Sequence, residues 1–283
     1  MDNIYLALYS FGFDSPLSME EKLKTASEIG YRGVEFAGGY GGLDAAKMKE
    51  LLARYGLKAV SSHVQAGGVV SDLPFLSDIG AQMVIVPGYP FATRDEALEC
   101  AETLNGLGRE AKKHGLKVGY HNHTREFWEE GGRPLLDYVI EGTDPALVGI
   151  ELDCGWASAA GADPAAYIRR HAGRVMAVHV KENGRVIGPD KPRSAKEEQE
   201  RPAFKLDENG KPIIPEEILK RFEEHMKLNV PTGRGIVDWK AVKAAADAQG
   251  CGVYIVEREY SYNEPKDRVQ CLREDFDYLQ KNV

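Results

Sequence analysis

The chain has 283 residues, 43% hydrophobic and 28% charged, the make-up of a soluble globular protein with room for one large α/β core. Its net charge of −8 argues against nucleic acid as the main partner, because neutralising phosphates takes a basic face. The four cysteines (Cys100, Cys154, Cys251 and Cys271) form no CxxC pair, which argues against a zinc knuckle or disulfide framework and suits a reducing cytoplasm. The N-terminus lacks the basic start of a signal peptide, and no apolar run approaches the roughly 18 residues of a membrane span. A cytoplasmic protein without membrane contact is therefore expected.

Ile4–Tyr9 reads as a first strand, followed by a capping-box pattern at Ser18 and Glu21. The helix after it carries Leu23, Ala26 and Ile29 on one face, stops at Gly30, and leads to a second strand at Gly33–Phe36. The same unit recurs. Gly56 leads to Leu57–His63, Gly80 to Met83–Pro87, Gly115 to Leu116–His123 and Gly142 to Val148–Asp153. Gly173 leads to Val175–Val180 and Gly250 to Gly252–Glu257. Eight strands with glycine-marked junctions predict a (β/α)₈ TIM barrel, a single domain over residues 1–283. The alternative, a doubly wound open sheet, lacks a GxGxxG or GxxxxGK after the first strand.

A segment at 182–232 breaks the rhythm after strand seven, where loops of about 2–6 residues are usual. Its last part, Pro215–Leu228, predicts an amphipathic helix carrying Ile218, Leu219, Phe222 and Met226. Its position on the face where barrels keep their chemistry suits a lid or a contact in a homo-oligomer, with a plainly flexible loop as the equal alternative.

The C-terminal strand ends hold the ionisable residues. In order they are Tyr9, Glu35, His63, the run Tyr120-His121-Asn122-His123, Glu151 with Asp153, His179 with Lys181, and Glu257 with Glu259. Alternation puts Glu151 and Asp153 on one face of their strand, and His179 and Lys181 on one face of theirs. So many charges at one rim call for a cation. Asp153, His179, Glu257 and a strand-five histidine have the mixed oxygen and nitrogen character of a Mn²⁺, Co²⁺, Fe²⁺ or Zn²⁺ site. Glu35 either joins this group or pairs with Arg32, and His63 either joins it or is a plain hydrogen-bonded histidine. Trp156 is expected as an apolar floor for a substrate. His114, His171 and His225, at helix ends or in the insertion, are not expected as ligands.

The strings Tyr31–Glu35, Tyr120–His123 with Glu126-Phe127, Ile150–Trp156, His179–Glu182, Gly233–Trp239 and Ile255–Glu257 occur in an order that resembles the sugar phosphate isomerase/epimerase family of xylose isomerase-like barrels. The resemblance spans nearly the whole chain outside the insertion. It implies one divalent ion held by a Glu on strand five, an Asp on strand six, a His on strand seven and a Glu on strand eight. Asp153, His179 and Glu257 match, while His121 stands where the epimerases have Glu, leaving Asn122 and His123 to meet substrate. The implied cofactor is Mn²⁺ first, with Co²⁺, Fe²⁺, Mg²⁺ or Zn²⁺ as alternatives. The implied reaction is isomerisation or epimerisation of a keto-sugar through an enediolate. The alternative is β-elimination by a lyase or dehydratase on a 3-keto-sugar, keto-glycoside or inosose. His121, His123, Glu151 or Glu257 would act as base, with Lys181 and Arg234 on hydroxyls or a remote anionic group, and with Glu35, His63 and Trp156 as further substrate contacts. The expected partner is a small-molecule sugar.

Overall fold

The strands are short because each has only to span the height of the barrel wall that they form together. In the computed structural model, which describes residues 1, 3–12, 14–200, 213, 215–259 and 267–283, they are β1 (Ile4–Ala7), β2 (Gly33–Ala37), β3 (Lys58–His63) and β4 (Met83–Val86). The remaining four are β5 (Lys117–His121), β6 (Val148–Asp153), β7 (Val175–Val180) and β8 (Tyr254–Val256). All eight are parallel, each beside its sequence neighbours, and β8 pairs with β1 (Ile4 with Tyr254) to close the barrel. The expected TIM barrel is the fold.

Period-two alternation gives the barrel two cores. Ile4, Leu6, Val34, Val84 and Val118 point outward under the helices, while Tyr5, Ala7, Val60, Ile85, Ala177 and Ile255 fill the interior. Two interior glycines make room for large neighbours. A Cβ on Gly119 would lie 2.4 Å from Ile85 Cδ1, and one on Gly149 would lie 2.3 Å from Met176 Sδ. Large neighbours thus plug the barrel below the C-terminal ends of its strands.

The helix-to-strand junctions follow the sequence reading with one exception. Gly30, at φ +119°, closes helix α1 (Met19–Ile29), which opens on the expected Ser18–Glu21 capping box. Gly142 instead lies inside a helix, Leu135–Gly142, where a Cβ would meet Ala101 Cβ at 2.8 Å. It is glycine for close helix packing, not for a left-handed turn. The first strand also ends sooner than expected. Leu8–Phe11 turn into a 3₁₀ helix, so Tyr9 is not a strand end.

The insertion starts by folding against the barrel. Asn183 bridges to Asn229, a short helix occupies Ala195–Gln199, and Glu216–Met226 forms the expected helix. Leu219 is exposed; the side chains of Ile218, Phe222 and Met226, like residues 201–212, lie outside what the structure describes. Among the described residues, no helix is long and apolar enough to cross a membrane.

Candidate metal centre and active site

Parallel register brings the ionisable strand ends together. His121 sits beside Glu151, and Asp153 beside His179. The result is a buried cluster in two layers.

The lower layer is centred on two glutamates. Glu151 Oε2 lies 2.8 Å from His63 Nε2, 3.0 Å from His121 Nδ1 and 3.2 Å from His179 Nε2. Glu35 Oε1 lies 2.8 Å from His179 Nε2 and 3.2 Å from His63 Nε2, while its other oxygen accepts from Ser61 Oγ at 2.6 Å. Glu35 therefore joins the cluster rather than pairing with Arg32. Burial works against its charge, but the His63 and His179 imidazoles outweigh it and lower its pKa to about 2. Burial, with the Glu35 carboxylate, pushes Glu151 up to about 7.

The upper layer is left open. Asp153 Oδ1 accepts from Trp156 N at 2.7 Å, capping the short helix Cys154–Ala159. Its Oδ2 is buried without a hydrogen-bond partner, 3.9 Å from His121 Nε2 and 4.0 Å from His179 Nδ1. His179 Nδ1 also lacks a hydrogen bond, although Glu257 Oε2 is 3.3 Å away. Burial pushes Asp153 up to about 7 against the pull of Lys181. One ligand atom each from Asp153, His179 and Glu257 falls within 4.8 Å of the others, a set that could hold a divalent cation. A second such set, His63, His121, Glu151 and His179, meets the same distance limit. The imidazoles of that set are already hydrogen-bonded to Glu151 or Glu35, and its one unpartnered carboxylate oxygen is Glu151 Oε1, whereas Asp153 Oδ2 and His179 Nδ1 lie unpartnered together in the upper layer. The donor chemistry, two carboxylates with imidazole, fits a first-row divalent ion.

Above this layer, Lys181 Nζ lies 2.8 Å from Glu257, 2.9 Å from Glu259 and 4.3 Å from the centre of the Trp156 ring. Burial would lower its pKa, but the two glutamates outweigh it and raise it, so Lys181 stays an ammonium. The same ammonium, working against burial, holds Glu257 well below the usual carboxylate range. His123 tilts toward Trp156 with ring centres 6.0 Å apart and its Nδ1 buried and unpartnered. Burial pulls its pKa down to about 4.

Of the residues singled out in the sequence, Glu35, His63, His121, Glu151, Asp153, His179, Lys181 and Glu257 come together, with His123 and Trp156 beside them. Arg234 does not join them. It is exposed, and its flanking glycines serve packing: a Cβ on Gly235 would lie 2.3 Å from Asn183 O, and one on Gly233 would lie 2.1 Å from Tyr278. Asn122 is also unavailable to a substrate, because its amide accepts from Asp153 N at 2.9 Å and donates to Asp153 O at 3.2 Å.

Two buried glutamates went unassigned in the sequence. Glu126 accepts from Tyr120 Oη and His123 N, fixing the turn after β5. Glu182 accepts from Gly233 N, Val237 N and Trp239 Nε1, tying the far end of the insertion to the end of β7. The available signal was the recurrence of acidic residues directly after the His-containing strings.

Residues 23–282 match the family described as xylose isomerase-like TIM barrel. The chain belongs to that family. It is 25% identical over 194 residues to an inosose dehydratase of Mesomycoplasma hyopneumoniae, an alignment covering 59% of this chain and 63% of the relative. It is 32% identical over 126 residues to an inosose dehydratase of Lactiplantibacillus plantarum, covering 44% and 40%. Less than two thirds of either relative is thus spanned. In three dimensions the chain resembles a sugar phosphate isomerase/epimerase from Parabacteroides distasonis, with a TM-score of 0.74, 20% identity, and 99% and 94% of the two chains covered. At that identity the likeness is one of fold.

Proposed function

We propose that this family member is a divalent-metal-dependent carbon–oxygen lyase, a dehydratase acting on a keto-polyol of the sugar or cyclitol kind. The fate of the glutamates carries the reading. Epimerisation needs proton-transfer groups on both faces of one carbon, yet Glu35 and Glu151 are enclosed by imidazoles and Glu257 is paired with Lys181. Elimination needs one base and one donor toward the departing hydroxyl, and the rim offers both types. The names of the two curated relatives point to the same class.

His121, Asp153, His179 and Glu257 would hold the ion, with Mn²⁺ the first choice and Co²⁺, Fe²⁺, Mg²⁺ or Zn²⁺ as alternatives. When bound, the ion supplies Lewis acidity toward a carbonyl and its neighbouring hydroxyl. Glu151 and Glu35 fix His121 and His179 through the ring nitrogens that face away from Asp153, the carboxylate–histidine arrangement that orients ligands and raises their basicity. His123, kept neutral by burial, accepts the proton alpha to the carbonyl. Lys181 hydrogen-bonds the hydroxyl on the beta carbon, and the proton taken up by His123 passes to that oxygen, so that the Cα–H and Cβ–O bonds break, a C=C bond forms and water leaves. Trp156 forms the apolar floor that keeps water from this side.

The isomerase or epimerase reading has its own support, since Asp153, His179 and Glu257 fall at the positions implied by the epimerase resemblance. Incubating Mn²⁺-loaded protein with an inosose and a panel of ketoses in D₂O separates the two. The expected result is loss of water with a new ultraviolet absorption. Solvent deuterium at the alpha carbon of an epimer or isomer, without dehydration, would overturn the lyase reading.

A further inference from the structure

The insertion builds a cavity of about 500 Å³ beside the rim, within the about 300–1,000 Å³ range of small-molecule sites. Its lining mixes apolar Ile187, Pro189 and Leu228 with charged Arg185, Asp190, Lys220 and Glu224. A lining of apolar and charged groups together suits a ring whose faces are C–H and whose perimeter is hydroxyl.

The cavity adjoins the rim, with Trp156 between them. Leu228 packs with Trp156 and Ala159 in one apolar cluster, and the His225 ring centre lies 5.9 Å from that of Trp156. The same indole carries Lys181 over its ring. The wall is fixed from three sides. Ile187 N and Gly188 N donate to Ala159 O at 2.8 and 3.0 Å. Thr124, on the turn after β5, donates to Asp190 Oδ2 at 2.8 Å, and His225 Nε2 lies 3.7 Å from that same carboxylate oxygen. Ile187 remains 39% exposed, an apolar surface left open where a ligand could cover it.

We infer that this cavity is a second subsite holding a hydroxylated ring joined to the reacting keto-polyol, so that the substrate is a substituted polyol such as a glycoside. The inference rests on the reading of the rim as a keto-polyol site. The occupant ring is a second sugar or a phenol, two sources of the same chemistry.

Equilibrium binding of unreactive ligands tests the subsite apart from the reaction. Mn²⁺-loaded protein is titrated with methyl β-glucoside, phenyl β-glucoside and cellobiose. At least one ring-bearing ligand should bind about tenfold more tightly than the methyl glycoside, and which one does so distinguishes phenol from sugar. Ile187→Asp and His225→Ala should each shrink that ratio toward one, with circular dichroism checking the fold. Equal affinity for all three ligands, no binding of any at millimolar concentration, or a ratio that survives both substitutions overturns the subsite. Dehydration of a free inosose without preference for a substituted one would leave the reaction class standing and remove the subsite alone.

Discussion

Replacing Glu151 by Gln tests whether the lower layer orients the ligands or binds the ion itself. The substitution keeps the shape and one acceptor, but removes the charge that faces His63, His121 and His179 at 2.8, 3.0 and 3.2 Å. If Glu151 acts through the two imidazoles, metal affinity should fall about 10–100-fold, the usual effect of losing an outer-shell carboxylate. That corresponds to about 1.4–2.7 kcal/mol. Competition of Mn²⁺ with a chelator of known affinity, followed by the electron-spin resonance of free Mn²⁺, reads this range directly. Asp153→Asn, which alters the orphaned oxygen itself, should lose more. An unchanged affinity in E151Q would refute the orienting role. A loss as large as that of D153N would move the ion to the His63, His121, Glu151 and His179 set.

Lys181→Met leaves Glu257 and Glu259 without their cation, so the metal-free protein should lose about 3–5 kcal/mol in urea unfolding, and added Mn²⁺ should restore part of it. Gly155→Ala would put a Cβ 2.4 Å from Lys181 O, a backbone atom that cannot swing away, and should destabilise by about 1–3 kcal/mol in calorimetry. Far from the rim, burial of Asp137 is outweighed by hydrogen bonds from His171 and Tyr167 and by the Arg170 guanidinium, and its pKa is lowered. Its stabilisation is therefore complete above the unfolded value of about 3.9 and lost as pH falls through the folded value. Asp137→Asn should lower the melting temperature at neutral pH, with the gap to the parent narrowing on acidification below that range.

The barrel was legible because two independent signals agreed, strand-length apolar runs and the glycines between helix and strand. Gly142 shows the limit of the second signal: glycine also serves helix contact, and only the nearness of Ala101 distinguishes the two uses. Arg234, which lies exposed and apart from the cluster, shows a related limit. A Gly-Arg-Gly string looks like an anion loop, but here the glycines let the chain pass close to Glu182, Asn183 and Tyr278, contacts made across about fifty residues of sequence. Asn122 and Glu126 carry no local mark of their partners either. The role of Asn122 depends on Asp153 of the neighbouring strand, which is fixed only when the barrel closes, and that of Glu126 on how the turn after β5 folds back.

Alternation identified the face of each strand but not the depth along it. Residues two apart on a strand differ by about 6.6 Å in height, enough to separate a metal's ligands from the groups beneath them. Glu151 thus lies one layer under Asp153, and His179 one layer under Lys181, although each pair shares a face. That depth also accounts for the histidine on strand five. The Glu151 carboxylate is 3.0 Å from the His121 ring, so a glutamate at 121 would bring a second carboxylate against one that burial and Glu35 already push up. An imidazole can hydrogen-bond downward through Nδ1 and still offer Nε2 upward, which a glutamate there could not do without like-charge repulsion. The choice at 121 therefore follows from Glu151 below it, and in the proposed site the chemistry above would inherit a neutral nitrogen ligand where the epimerase resemblance implies a carboxylate.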